Sequence, residues 1–264
     1  MIPVDGSFIL SVAPTFSGAN AAAQTRIVAE LSSGFAGVLG RYQINTRLRI
    51  AHFMGQVTHE CAGFRTTEEF ASGATYEGRT DLGNIQPGDG KRYKGRGLLQ
   101  LTGRANYRSI GAKLGLDLEG HPEIAAEPLT SLRIACEYWT MRKINDPADQ
   151  DDLIEVTKRV NGGLNGLEDR RTYLRKAKTA LAAIDGIVVA SGQTGTDPVL
   201  RRGSFGVAVG ELQHLLRKAG YALGVDNDFG PATELAVMDF QRRKGLDADG
   251  IVGQFTWAVL RKQG

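Results

Sequence analysis

Carboxylates are the side chains of this 264-residue chain whose placement could do chemistry, and Glu60 is the first of them. It closes a segment, residues 46–61, in which Leu48, Ile50, Ala51, Phe53, Met54 and Val57 cover most of a helical circumference, and Gly63 follows as a residue able to end the helix. Apolar walls and the negative end of a helix dipole favour a protonated carboxyl, the form a general acid requires. The bland alternative is a glutamate paired with an arginine at a helix end. A second carboxylate has to be argued from reach. Glu69 lies nine residues on; nine steps of about 100° would put it on the opposite face of a continuing helix, but Gly63 lets the chain turn back and bring it across a cleft. Inverting sugar-cleaving pairs stand roughly 6.5–9.5 Å apart with a water between them. Glu68 and Glu77 compete with Glu69 for this place, and spacing alone does not choose among the three.

A third group lies in the glycine-bearing run from Gly95 to Tyr107. Its paired glycines permit close backbone approach to a ligand. Gln100, Thr102 and Asn106 offer neutral donors and acceptors suited to sugar hydroxyls and acetamides, and Tyr93 just before the run joins the substrate-binding candidates. Thr102 could instead cap the helix that follows.

Other chemistries fail on spacing. His59-Glu60 begins like a zinc-protease motif, but the second histidine position holds Gly63. The four histidines have no ligand spacing, so no metal site is expected. Gly90-Lys91 resembles the end of a phosphate-binding loop, but the leading glycine would be Ile85. No nucleophile-elbow motif occurs. Cys61 and Cys136, 75 positions apart, read as buried free thiols.

The elements that must position these residues are helices. Amphipathic or buried helical patterns span residues 22–39, 46–61, 105–114, 130–144, 151–160 and 167–184. Between them, residues 68–98 lose all periodicity and are rich in Gly, Asp, Asn and Pro, as functional loops often are. Residues 191–198 have the small polar composition of a linker. Beyond them Asp226, Gly230, Thr233 and Val237 recur at a shift of 23 as Asp249, Gly253, Thr256 and Leu260, each set a turn that starts a helix. The expected division is 1–185, a linker 186–203, and a small three-helix module 204–264. With 42% apolar and 23% charged residues the chain is ordinary globular material, and a formal charge of +3 is too weak to declare a nucleic-acid binder. The apolar run 8–13 is too short for a secretory signal or a membrane span.

Taken together, His59-Glu60, Glu68-Glu69, the stretch Tyr76-Glu77-Gly78-Arg79-Thr80-Asp81-Leu82-Gly83-Asn84, the Gly95–Tyr107 run, the segment Asn161-Gly162-Gly163-Leu164-Asn165-Gly166-Leu167 and Asp169-Arg170 resemble glycoside hydrolase family 19, most closely its phage endolysin branch. The resemblance covers residues 45 to 180. It implies an all-α, lysozyme-like catalytic domain working without metal or cofactor by single displacement with inversion. Glu60 would be the general acid, Glu69 the general base and Thr102 the hydroxyl that holds the attacking water. Gln100, Asn106 and Asn161 align with sugar-contacting positions and Arg170 with a cleft arginine, so all four join the substrate-binding candidates. One departure is His59-Glu60-Cys61-Ala62-Gly63, where the family commonly has Ser or Thr and then Gly after the glutamate.

The C-terminal residues Leu212-Gln213, Phe229-Gly230, Thr233, Phe240-Gln241, Asp249-Gly250, Val252-Gly253 and Thr256-Trp257 resemble a peptidoglycan-binding domain of type 1. The implied protein is a monomeric endolysin with bacterial peptidoglycan as its partner. It would be stored in the host cytoplasm without a signal peptide, reach the wall through a holin-like protein, and neither insert in the membrane nor bind nucleic acid. Muramidase-type cleavage is expected by analogy. A chitinase acting on N-acetylglucosamine polymers and a non-catalytic wall binder are the alternatives.

Overall fold

Asp5 opens the first helix. Its Oδ1 accepts the amides of Ser7 and Phe8 at 2.9 and 3.1 Å, and α1 (Gly6–Val12) buries Phe8, Ile9 and Val12. The run 8–13 is thus a packed helix. The computed structural model describes residues 2–190 and 198–262 and divides into two units, Met1–Ala177 and Lys178–Gly264.

In the first unit the pattern over residues 22–39 is two helices, α2 (Gly18–Ser32) and α3 (Phe35–Arg41). The break falls at Gly34, whose missing Cβ would stand 2.7 Å from Leu129 Cδ2, and glycine is a poor residue for a helix interior. The central helix is α4 (Arg47–Glu60). Thr46 Oγ1 caps it at the amide of Arg49, and every residue from Ile50 to Thr58 is buried, as the all-round apolar pattern requires. Phe53 meets Trp139 edge-on at 5.3 Å.

Past Glu60 the chain reverses through Ala62, Gly63 and Phe64, all with left-handed φ (49°, 74° and 64°). Gln24 clamps this turn by donating to the carbonyls of Gly63 and Pro14 at 2.7 and 3.0 Å. Residues 68–103 follow with two short 3₁₀ turns, α5 (Asp89–Arg92) and isolated bridges pairing Arg96 with Glu68 and with Leu101. Side chains order this irregular stretch. Asn84 donates to Tyr76 O and accepts from the Arg104 amide, both at 2.9 Å. Asp89 is forked by Arg104, which holds its carboxyl below the ordinary value.

The unit continues with α6 (Arg104–Leu114), α7 (Pro128–Met141), α8 (Asn145–Asp149) and α9 (Leu153–Asn161). Next comes α10 (Leu167–Ala190), which runs past the expected end at Ile184 and across the division between units. Residues 186–190 of the expected linker are therefore helical, and its residues 191–197 lie outside the described ones.

The second unit holds α11 (Val207–Lys218), α12 (Pro231–Arg243) and α13 (Gln254–Arg261) around a core of Leu212, Leu216, Phe229, Val237, Phe240, Val252, Trp257 and Leu260. The internal repeat has a structural cause. Gln213 Nε2 donates to Asp226 Oδ1, Asp228 O and Thr233 Oγ1; Gln241 Nε2 donates to Asp249 Oδ1, Ile251 O and Thr256 Oγ1. Each buried glutamine ties the turn after its own helix to the start of the next one. The described part of the chain is mainly helical, and no described helix is long and apolar enough to cross a membrane.

Candidate active site

Glu60 ends α4 over a buried cation. Arg170, at the start of α10, is fully buried, and its Nη2 donates to Glu60 Oε1 at 2.5 Å. The same guanidinium gives Nη1 to Gln56 Oε1 at 2.6 Å and Nε to the carbonyl of Asn165 at 3.0 Å. Gln56, one turn before Glu60 on the same face, passes Nε2 on to Thr157 Oγ1 at 3.2 Å. The surroundings of Glu60 are therefore ionic rather than the apolar walls expected, and the glutamate–arginine pairing is the arrangement found. Its Oε2 has no hydrogen-bond partner among the described residues, so this oxygen is the one available to carry and deliver a proton.

Close helix packing makes this arrangement possible. At Gly55 of α4 a Cβ would come within 3.2 Å of Arg170 O and 3.3 Å of Leu174 N, so α10 lies nearly on the α4 backbone. His59 Nδ1 pairs with Asp169 Oδ2 at 2.9 Å, and Gly166 leaves room for the imidazole where any side chain would collide with it.

The three competing carboxylates separate by their partners. Glu68 is ion-paired with Arg96 at 2.9 Å and Lys94 at 3.3 Å. Glu77 accepts the amides of Gly88 and Gly90 at 2.7 and 2.8 Å and so pins that turn. Glu69 has no ion pair among the described residues. Its Oε1 accepts the amide of Gly95 at 2.8 Å and its Oε2 the hydroxyl of Tyr76 at 3.0 Å, and burial together with that bond pushes the Tyr76 phenol up. A carboxylate so held, without a neutralising cation, is suited to taking a proton from water.

Gly95 gathers the other candidates. A Cβ there would lie 2.7 Å from Gln100 Oε1, 3.3 Å from Glu69 Cδ and 3.4 Å from Thr102 Oγ1. Glu69, Gln100 and Thr102 thus meet at one point, and the glycine admits protein groups where the sequence reading had placed a ligand. Gln100 sits at a left-handed φ of 52° and donates to Gly97 O at 2.9 Å. Thr102 Oγ1 donates to Gln100 O at 2.9 Å and caps nothing, because the residue before α6 is Gly103. Asn106 is exposed and donates to Thr102 O at 2.7 Å; Asn161 is exposed at the end of α9.

Two expected sugar contacts need correction. Arg170 has no accessible surface and spends its donors on Glu60, Gln56 and Asn165, so it holds Glu60 and is not placed to touch a ligand. Tyr93 is buried, with its hydroxyl donating to Glu119 O at 3.0 Å and its ring edge-on to Tyr107 at 5.4 Å and 4.8 Å from the guanidinium carbon of Arg104. An open hollow of about 750 Å³ lies beside Tyr93 and includes Asp89, Arg92, Arg104 and Glu119, but none of Glu60, Glu69 or Thr102. Arg104 bridges its two carboxylates, Asp89 and Glu119, and Arg108 pairs with Glu119 as well.

Residues 21–159, just over half of the chain, match the family model described as Chitinase class I. The chain belongs to this family, glycoside hydrolase family 19. Residues 206–260 match a peptidoglycan binding domain. Among similar proteins, a glycosyl hydrolase family 19 domain-containing protein of Haemophilus influenzae is 40% identical over 103 residues, 39% of this chain and 49% of that protein. Chitinase 8 of Oryza sativa subsp. japonica is 32% identical over 111 residues, 41% of each. The chain thus spans about half the length, or less, of these relatives. The crystal structure of chitinase C from Streptomyces griseus HUT6037 superposes with a TM-score of 0.50 over 68% of this chain and 93% of that one, at 20% identity, which supports the fold. In the family 19 domain the match ends at residue 159, before Asn161 and Arg170, so the Arg170–Glu60 pair rests on geometry alone. Sequence reasoning missed Gln56, Tyr76 and Gly55. Gln56 had a signal, a polar residue four positions before Glu60 on a helix patterned for burial; Tyr76 had one in its place at the head of the stretch 76–84, whereas Gly55 had none without α10.

Proposed function

We propose that the chain is an endolysin-type hydrolase that cleaves β-1,4 glycosidic bonds of bacterial peptidoglycan with inversion at the anomeric carbon. The observation that carries this reading is one pair of carboxylates in contrasting settings. Glu60 has one oxygen fixed by Arg170 and the other open, while Glu69 is uncompensated beside Thr102. In the reaction Glu60 gives its proton to the glycosidic oxygen as the bond from that oxygen to the anomeric carbon breaks. Glu69 takes a proton from water while the water oxygen bonds to the same carbon from the opposite face. Thr102 Oγ1 donates to Gln100 O and keeps lone pairs to orient that water. Gln100, Asn106 and Asn161 supply neutral groups for sugar hydroxyls and acetamides. Muramidase-type cleavage, action as a monomer and release to the wall through a holin-like partner complete the proposal. The module at residues 206–260 supports the wall as its place of action.

Several relatives are named as chitinases, among them Chitinase 8 and Acidic endochitinase Q of Nicotiana tabacum, and this favours a second reading, a chitinase acting on N-acetylglucosamine polymers. Release of reducing ends from purified sacculi and from chitin separates the two. Mass spectrometry of reduced products from sacculi identifies the bond, because the sugar at the new reducing end reports it. Glu60→Gln is expected to abolish release while sedimentation with sacculi persists. A Glu60→Gln protein that releases reducing ends at the parent rate would overturn the assignment.

A further inference from the structure

Arg65 lies between the two carboxylates in the chain, five residues after Glu60 and four before Glu69. Its guanidinium carbon stands 5.6 Å from the ring centroid of Phe16 and 5.5 Å from that of Phe70. Among the described residues it makes no hydrogen bond and no ion pair, and its Nε is buried without a partner. That sets it apart from Arg170, Arg104 and Arg96, whose guanidinium donors are spent on carboxylates and carbonyls. The support beneath it is rigid. Phe16 Cε2 would lie 3.1 Å from a Cβ on Gly63, and Gln24 ties the carbonyls of Pro14 and Gly63 together. Phe70, next to Glu69, is 77% exposed, so much of its ring is open beside the guanidinium.

We propose that Arg65, held against Phe16 and Phe70, is a recognition site for a carboxylate of the substrate, with the open side of Phe70 as a platform for the adjoining sugar or peptide. Ring contacts engage the faces of a guanidinium and leave its planar edge of N–H donors for an acceptor, and a carboxylate matches that edge with two parallel bonds. With Nε buried, recognition falls to the two Nη groups. This inference rests on the peptidoglycan reading and sharpens it. Chitin carries no anionic group, whereas peptidoglycan carries carboxylates on its peptide stems, so Arg65 is a specificity-determining residue that favours the wall polymer.

The test uses the whole chain carrying Glu60→Gln, so that ligands survive. Calorimetry measures affinity for a GlcNAc–MurNAc disaccharide bearing its peptide stem, for the same compound with every carboxylate converted to amide, and for the stem-free disaccharide with its lactyl carboxylate exposed. The carboxylate form is expected to bind about 10- to 100-fold more tightly than the amide, the range of a charge-assisted bond. Adding Arg65→Gln should collapse that ratio towards one, while Arg65→Lys, which keeps the charge but not the fork, should retain part of it. Thermal unfolding of both variants separates loss of recognition from loss of fold. Stem-free disaccharide binding as well as the stem-bearing form supports carboxylate recognition and shows that a lactyl or a stem carboxylate serves equally. A ratio near one before Arg65 is changed, or a ratio that survives Arg65→Gln, overturns the proposal. If the unmutated chain fails to cut sacculi but the Arg65-dependent ratio stands, the hydrolase reading fails and the carboxylate site does not.

Discussion

Gly95→Ala tests whether the meeting of Glu69, Gln100 and Thr102 is the working arrangement. The backbone at Gly95 is not left-handed, so alanine costs no conformational strain, and reduced freedom of the unfolded chain would stabilise by about 0.4–1 kcal/mol. Against that, the new methyl would stand 2.7 Å from Gln100 Oε1, 3.3 Å from Glu69 Cδ and 3.4 Å from Thr102 Oγ1. Gln100 Oε1 is the end of a flexible side chain and has to move first, by about 0.7 Å to go from 2.7 Å to the 3.4 Å of ordinary contact, which puts its bond to Gly97 O at risk at about 1 kcal/mol. The two stability terms nearly cancel, so Tm should shift by only a few degrees. Catalysis should respond far more strongly. Reacting groups have to be held within about 0.5 Å, and a displacement of about 1 Å can cost about a hundredfold. The expected result is a fall in kcat of about 10- to 100-fold, read as reducing ends released from sacculi, with circular dichroism and Tm close to the parent. A Gly95→Ala protein with parental kcat would show that the groups around Gly95 do not do the chemistry.

Three further outcomes follow from the same contacts. Gln56→Leu leaves Arg170 Nη1 and Thr157 Oγ1 without their partner; it should cost about 1–3 kcal/mol of stability in chemical denaturation and lower kcat more than it raises KM. Gln213→Leu strips the turn around Asp226 of its buried donor and acceptor, so it should abolish sedimentation with sacculi while cleavage of soluble glycan oligomers persists. Glu119 is held down to about 2 by Arg108 and Arg104, well below its ordinary 4.5, so the stability it contributes is present above pH 4.5 and lost as pH falls towards 2. The Tm difference between the parent and Glu119→Gln should accordingly be full at pH 7 and fade across that acid window; a difference independent of pH would refute the linkage.

What could be read in the sequence and what could not divide along the range of the interactions. The burial of α4 and the place of Glu60 at its end follow from a local pattern, since the apolar residues of one helix report their own surroundings. The turn after it was half legible. Gly63 announces a reversal, but Ala62 and Phe64 share its left-handed φ only because Gln24, Pro14 and Phe16, some forty to fifty positions earlier, clamp the turn. The choice among Glu68, Glu69 and Glu77 was not legible, because it is made by Arg96 and Lys94, by Gly95 and Tyr76, and by the amides of Gly88 and Gly90. Arg170 and Tyr93 looked like ligand contacts for the same reason. A polar side chain near a site reads as exposed until the helix that buries it is in place.

That long-range dependence bears on how the proposed acid and the proposed base are kept different. Both are glutamates, both follow from α4 and its turn, and neither is distinguished by its immediate neighbours in the chain. Glu60 receives a cation from α10, 110 positions away; the Glu69 carboxylate receives an amide and a phenol from the irregular stretch and makes no ion pair among the described residues. Glu60 lies at the end of one helix and Glu69 beyond one clamped turn, and two separate parts of the chain give them unlike surroundings. Changing Arg170 should therefore disturb Glu60 and leave Glu69 as it is, and changing Gly95 should do the reverse. The sum of the two losses in a double variant would measure whether the halves of the site act independently.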